Sequence, residues 1–139
     1  PRVRAAFSTD GGQSFSEPIE VDETNPFGRV GVAWGDDRTA IVSWVTAPHA
    51  VSKKASLALR KVYADGSSGP IYRLKEISGG RDGGVPQLVA YGSGFMMAWT
   101  AEAPGHGLHT AFIPSDASDG GPLIPLAGSV LSPGRKHFP

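Results

Sequence analysis

Three prolines set the frame of this chain. Pro18, Pro70 and Pro122 lie 52 residues apart, and each is followed by an aliphatic residue, Ile19, Ile71 or Leu123. A polar turn precedes each of them: Ser8–Ser14, Ala64–Gly69 and Ser115–Gly121. A short apolar run precedes each turn: Val3–Phe7, Leu57–Tyr63 and Leu108–Ile113. Downstream, Val30-Gly31-Val32-Ala33-Trp34-Gly35 is echoed by Gln87-Leu88-Val89-Ala90-Tyr91-Gly92. A further run then closes on tryptophan each time, at Trp44 and at Trp99. A fixed period of this size means one supersecondary unit repeated, each unit burying its apolar face against the next. The runs are short, rich in β-branched and aromatic residues, and bounded by Gly, Pro, Asp and Ser, so they read as strands. With 19 Gly and 12 Pro in 139 residues, long helices are excluded.

Ten strands are expected: Val3–Phe7, Pro18–Val21, Arg29–Trp34, Thr39–Thr46, Ser56–Val62, Pro70–Ile77, Val85–Tyr91, Gly94–Thr100, Leu108–Ile113 and Pro122–Leu126. Each full period holds four, and a four-stranded unit of roughly 40–50 residues is the signature of a β-propeller blade. A β-sandwich also spaces its strands evenly. It gives no reason for Ala-Trp-Gly and Ala-Tyr-Gly to recur in step with the Pro-aliphatic pairs. The fold class expected is therefore all-β, with propeller blades of four antiparallel strands in an incomplete ring. The divisions are a half-blade over 1–27, blades over 28–78 and 79–127, and a tail over 128–139. About four to eight blades close a ring, so this stretch is expected either to belong to a longer propeller or to self-associate.

Composition excludes several functions. Thirteen basic and thirteen acidic residues balance, so no basic field exists to hold a nucleic-acid backbone. The absence of cysteine removes disulfides, thiolate zinc sites and a thiol nucleophile. No apolar run approaches a membrane span, and no motif calls for a cofactor.

Residues 8–15 carry the most specific local signal. In Ser8-Thr9-Asp10-Gly11-Gly12-Gln13-Ser14-Phe15, a short carboxylate can accept backbone N–H bonds and the glycines can take φ > 0. Ser8, Asp10, Gly12, Ser14 and Phe15 resemble at every defining position the Asp-box, the Ser-x-Asp-x-Gly-x-Ser/Thr-aromatic hairpin of sialidases and related β-propellers. The resemblance implies a structural role for these five, with Phe15 plugging the gap between neighbouring hairpins. It also implies a segment of a glycoside hydrolase acting on sialylated or related glycans, in a secreted or periplasmic bacterial setting. Asp-boxes occur in binding propellers too, so the alternative is a non-catalytic module recognising glycan or protein.

In the blade frame, the loops from fourth strand to first and from second to third form one face, where propellers bind ligands. That face carries Asp22, Glu23, Asn25, Arg29, His49, Arg81, Asp82, Glu102 and His106. Arg29, Arg81, Asp82 and Glu102 are the candidate substrate-binding residues, since sialidases clamp a substrate carboxylate with arginines. No catalytic residue is assigned: the Arg-Ile/Leu-Pro motif of the family is missing, and its acid, nucleophile and clamp come from the whole ring. The plain alternative for these loop charges is a solvated rim. His106-x-x-His109 lacks a third metal ligand, and Asp116-x-x-Asp119-Gly120 lacks the spacing of a calcium loop. Trp34, Trp44 and Trp99, at matching strand ends, are expected to pack between sheets.

Overall fold

The structure, a computed structural model, describes residues 1–24, 26–36, 38–80, 83–101, 107–114 and 129–133. Ten strands make three antiparallel sheets, and no α-helix occurs among the described residues. The first sheet is a hairpin of β1 (Val3–Ala5) and β2 (Ile19–Asp22). The second is a four-stranded meander of β3 (Pro26–Asp36), β4 (Thr39–Thr46), β5 (Lys54–Tyr63) and β6 (Tyr72–Ser78). The third repeats that order with β7 (Gln87–Tyr91), β8 (Gly94–Ala101), β9 (Gly107–Pro114) and β10 (Ser129–Pro133).

The middle sheet is buried on both faces at β4 and β5, and β4 shows why. Its sequence Thr-Ala-Ile-Val-Ser-Trp-Val-Thr has almost no polar alternation. Successive side chains on a strand point to opposite faces, so a strand covered on both sides needs apolar residues at nearly every position. Ala40, Val42 and Trp44 enter one core, where Val3, Phe7, Ile19 and Val21 of the first hairpin meet them. Ile41 and Val45 enter the other, against Leu88, Phe95 and Met97 of the third sheet. β5 divides likewise, with Leu57 and Leu59 on one side and Ala58 and Val62 on the other.

Glycine permits the close approach of β3. A Cβ at Gly31 would stand 2.8 Å from the Ser43 hydroxyl, and one at Gly35 would stand 3.0 Å from the Phe95 ring. The third sheet can therefore lie near the backbone of β3, and Ala33, between the two glycines, is buried in that core.

Three expectations need correction. The strand that pairs with β9 is Ser129–Pro133, through contacts such as Ser129 with Thr110, whereas 122–126 lie outside the described residues. Phe15 does not plug a gap: it is 64% exposed, and Phe7, at the base of the same hairpin, is the buried ring. Trp44 and Trp99 are buried, but Trp34 is half exposed and touches Phe7 only edge-on, with ring centroids 5.4 Å apart. Phase explains the first aromatic pair. Val3, Ala5 and Phe7 share the strand face that meets the middle sheet, and Phe15 lies beyond a turn that faces solvent.

Candidate functional site

The turn at 8–14 is held by its own side chains. The Ser8 hydroxyl donates to Asp10 Oδ1 at 2.8 Å and accepts the Gly12 amide at 2.8 Å. Asp10 Oδ1 also accepts the Ser14 amide at 2.9 Å, and Oδ2 accepts the Ser14 hydroxyl. Gly11 and Gly12 take φ of 72° and 89°, which favours glycine. Bonds from the Ser14 hydroxyl and amide, then from Ser8, push the Asp10 carboxyl down to about 2 from 3.8. Below the turn, the Ser16 amide donates to the Phe7 carbonyl at 2.7 Å and closes the hairpin. The corresponding turn of the middle sheet uses the same chemistry over a shorter span. Asp65 Oδ1 accepts the Ser67 amide and hydroxyl at 2.9 and 2.6 Å, with Gly66 at φ 95°. The third such turn, around Asp116, lies outside the described residues.

The opposite ends of the sheets carry the candidate ligand residues. Pairing between β3 and β4 slips on both sides of Gly28, and there Gly28 and Arg29 have φ of 109° and 53°. Such a bulge bends a strand and re-aims its side chains. Holding a non-glycine residue in the left-handed region costs on the order of 1–3 kcal/mol. Arg29 leaves the ladder over the Phe27 ring, 5.6 Å from its centroid, and its Nη2 donates to the Gly80 carbonyl at 2.7 Å. Its Nη1 is buried and has no partner among the described residues. Gly83 makes room for this arm, since a Cβ there would stand 3.0 Å from Nη1 and 2.5 Å from the Ser78 carbonyl. The guanidinium is thus fixed in the loop between the second and third sheets.

Asp22, expected on the same loop face, is spent elsewhere. It is 3% exposed; its Oδ2 accepts the Trp44 indole N–H at 2.7 Å. Its Oδ1 accepts the Thr24 amide and hydroxyl at 2.9 and 2.7 Å. Burial pushes this carboxyl up, but the bonds from Thr24 and Trp44, with Arg73 nearby, outweigh it and hold it below the usual carboxylate range. This pair pins the end of β2 to β4, and Arg60 of β5 reinforces it by donating to the Val21 carbonyl at 2.8 Å. His49 also holds backbone: its Nδ1 accepts the Val51 and Ser52 amides at 3.3 and 3.4 Å. Glu23 is exposed. Asn25, Arg81, Asp82, Glu102 and His106 lie outside the described residues. Of the four substrate-binding candidates, Arg29 is therefore the one with a described position. Sequence reasoning missed the Asp22–Trp44 bond and the bulge; Gly28 next to Arg29 was the available signal for the second.

Comparison with family models, with curated proteins and with solved structures found no match to this chain. Among the described residues no three His, Asp or Glu side chains group to hold a metal ion. No helix is long and apolar enough to cross a membrane, again among the described residues.

Proposed function

We propose that the chain is a segment of an Asp-box, sialidase-like β-propeller that binds a carboxylated glycan on the loop face at Arg29. The observation that carries the reading is the Arg29 guanidinium: one arm fixed on Gly80, the other buried and unpaired among the described residues. An unpaired buried donor on a charged group costs free energy that an anionic acceptor recovers. The self-bonded Ser8–Ser14 turn supports the Asp-box assignment, and the series of one two-stranded and two four-stranded sheets supports the blade assignment. Binding without turnover is favoured over hydrolysis because the sequence lacks the Arg-Ile/Leu-Pro motif of sialidases. The outer face of the third sheet, with Val89 and Tyr91 55% and 64% exposed, fits contact with a further propeller sheet or another copy.

A titration of the chain with sialyllactose, followed by amide NMR, tests the reading. Shifts at Gly28, Gly80 and Gly83 are expected, absent with lactose and absent in Arg29→Ala. Equal shifts with the neutral sugar, or none with either, would refute it. Release of fluorophore from a fluorogenic sialoside would move the reading to hydrolase.

A further inference from the structure

The first sheet has two strands where each of the others has four, and its missing half has a definite place. β1 contacts β3 and β2 contacts β5, so β1 is the strand nearer the inner edge of the middle sheet. Val3, Phe7, Ile19 and Val21 cover β4 and β5 but leave β3 open. Val30, Val32 and Trp34, which share one face of β3, are 51%, 64% and 51% exposed. Ala33, on the opposite face, is buried under the third sheet. The open stripe continues the interface already formed by the first hairpin, and the Phe7–Trp34 contact marks where the cover stops.

The main chain points the same way. Among the described residues β1 pairs with β2 alone, which leaves one edge of backbone donors and acceptors without a strand. On β2, by contrast, the carbonyls of Glu20 and Val21 already accept from the Arg60 guanidinium. The outward face of the hairpin is finished as solvent surface, with Arg2 and Arg4 paired to Glu20 at 3.8 and 3.2 Å. What remains is a slot beside β1 and above β3.

We propose that this slot accepts a two-stranded antiparallel β-hairpin, supplied by polypeptide outside these 139 residues. One of its strands adds to the edge of β1 by main-chain bonds, and its apolar side chains cover Val30, Val32 and Trp34, the strand-addition mode of recognition. The hairpin is of the β7–β8 kind, with Leu88 and Met97 on one face. A second copy is a poor donor, because its β3–β4 and β7–β8 hairpins are each paired within their own sheets. The proposal shares the four-strand unit with the glycan reading but uses neither Arg29 nor the loop face.

The test joins a copy of residues 86–100, through a flexible Gly/Ser linker, ahead of Pro1 of the full chain. Tethering raises the hairpin's effective concentration to the millimolar range. Exchange of the β1 amides should slow by at least about tenfold, and Trp34 emission should shift to the blue. Val32→Asp in the body of the chain should abolish both effects while leaving the untethered chain folded, since Val32 is largely exposed. Arg29→Ala should leave both effects intact, which separates this proposal from the glycan site. Unprotected β1 amides in the tethered chain, or protection that survives Val32→Asp, would overturn it. So would dimerisation of the untethered chain that Val32→Asp removes, because a second copy would then be the occupant.

Discussion

The tip and the base of the first hairpin use the same side-chain chemistry to opposite ends. At the tip, Asp10 accepts from Ser8 and Ser14, and Phe15 stands in solvent. At the base, Asp22 accepts from Thr24 and Trp44, and Phe7 is buried against the middle sheet. Every partner of Asp10 lies within four residues of it, so its bonds shape a turn. Trp44 lies on another sheet, so its bond to Asp22 fixes how two sheets meet. The recognisable pattern sits at the tip; the free energy sits at the base, where Trp44 and Phe7 are withdrawn from water.

The two phenylalanines offer the largest contrast. Phe7→Ala should cost roughly 3–5 kcal/mol, through lost transfer energy and the cavity left in the cluster that Phe7 shares with Val42 and Trp44. Phe15→Ala should stay within about 0.5 kcal/mol, as surface changes do. Urea melts of the two variants decide the matter. Similar midpoints would mean that the tip packs against something in solution and that the contrast is false.

Next comes the carboxylate at the base. Asp22→Ala leaves the buried Trp44 indole N–H and the part-buried Thr24 amide without their acceptor, at a cost of about 2–3 kcal/mol. Pairing it with Trp44→Phe in a double-mutant cycle should give a coupling of about 1–2 kcal/mol. Additive losses would show that the bond does not join the sheets.

How much of this was legible follows from what each feature depends on. The apolar run closing on Trp44 was legible as a strand, though not as one covered on both faces, and the 52-residue period was legible as sheets in series. Alternation along Val3, Ala5 and Phe7 also held the signal that Phe7 is the buried ring, but the motif drew attention to Phe15. Likewise Val30, Val32 and Trp34 can be read as one face of a strand; whether anything covers that face depends on chain that the strand itself does not encode. The Asp22–Trp44 bond spans 22 residues and depends on how a hairpin seats on a sheet, which no local pattern states. The position of Arg29 depends on backbone at positive φ, for which Gly28 beside it is the only local signal and Arg29 itself gives none. The tenth strand was misplaced because the third proline repeat suggested 122–126, whereas pairing with β9 occurs at Ser129–Pro133.

Acid offers a finer division between tip and base. Both carboxyls are lowered in the folded chain, so each takes up a proton more readily when unfolded. Their stabilisation is present above the unfolded carboxylate range and is lost as pH falls through the folded values. For Asp10 that window runs from 3.8 down to about 2. Asp10→Asn and Asp22→Asn should each flatten the acid-dependent loss, because each removes a carboxyl that the folded chain holds below its unfolded value. A series of melts between about pH 6 and pH 2 measures both slopes; a slope unchanged by either substitution would show that folding does not lower that carboxyl.

The smallest effect expected is also the one that isolates the turn. Asp10→Ala removes the acceptor of the Ser14 amide and a partner of the Ser8 and Ser14 hydroxyls, all of them exposed to water that can replace it. The urea midpoint should move far less than in Asp22→Ala. Local order should still suffer: the Gly12 and Ser14 amides should exchange faster, as an opened turn with an intact core requires. The Phe7 and Val21 amides should keep their protection. Should they lose it together with Gly12 and Ser14, tip and base would be one cooperative unit, and the turn would contribute to stability through the packing beneath it.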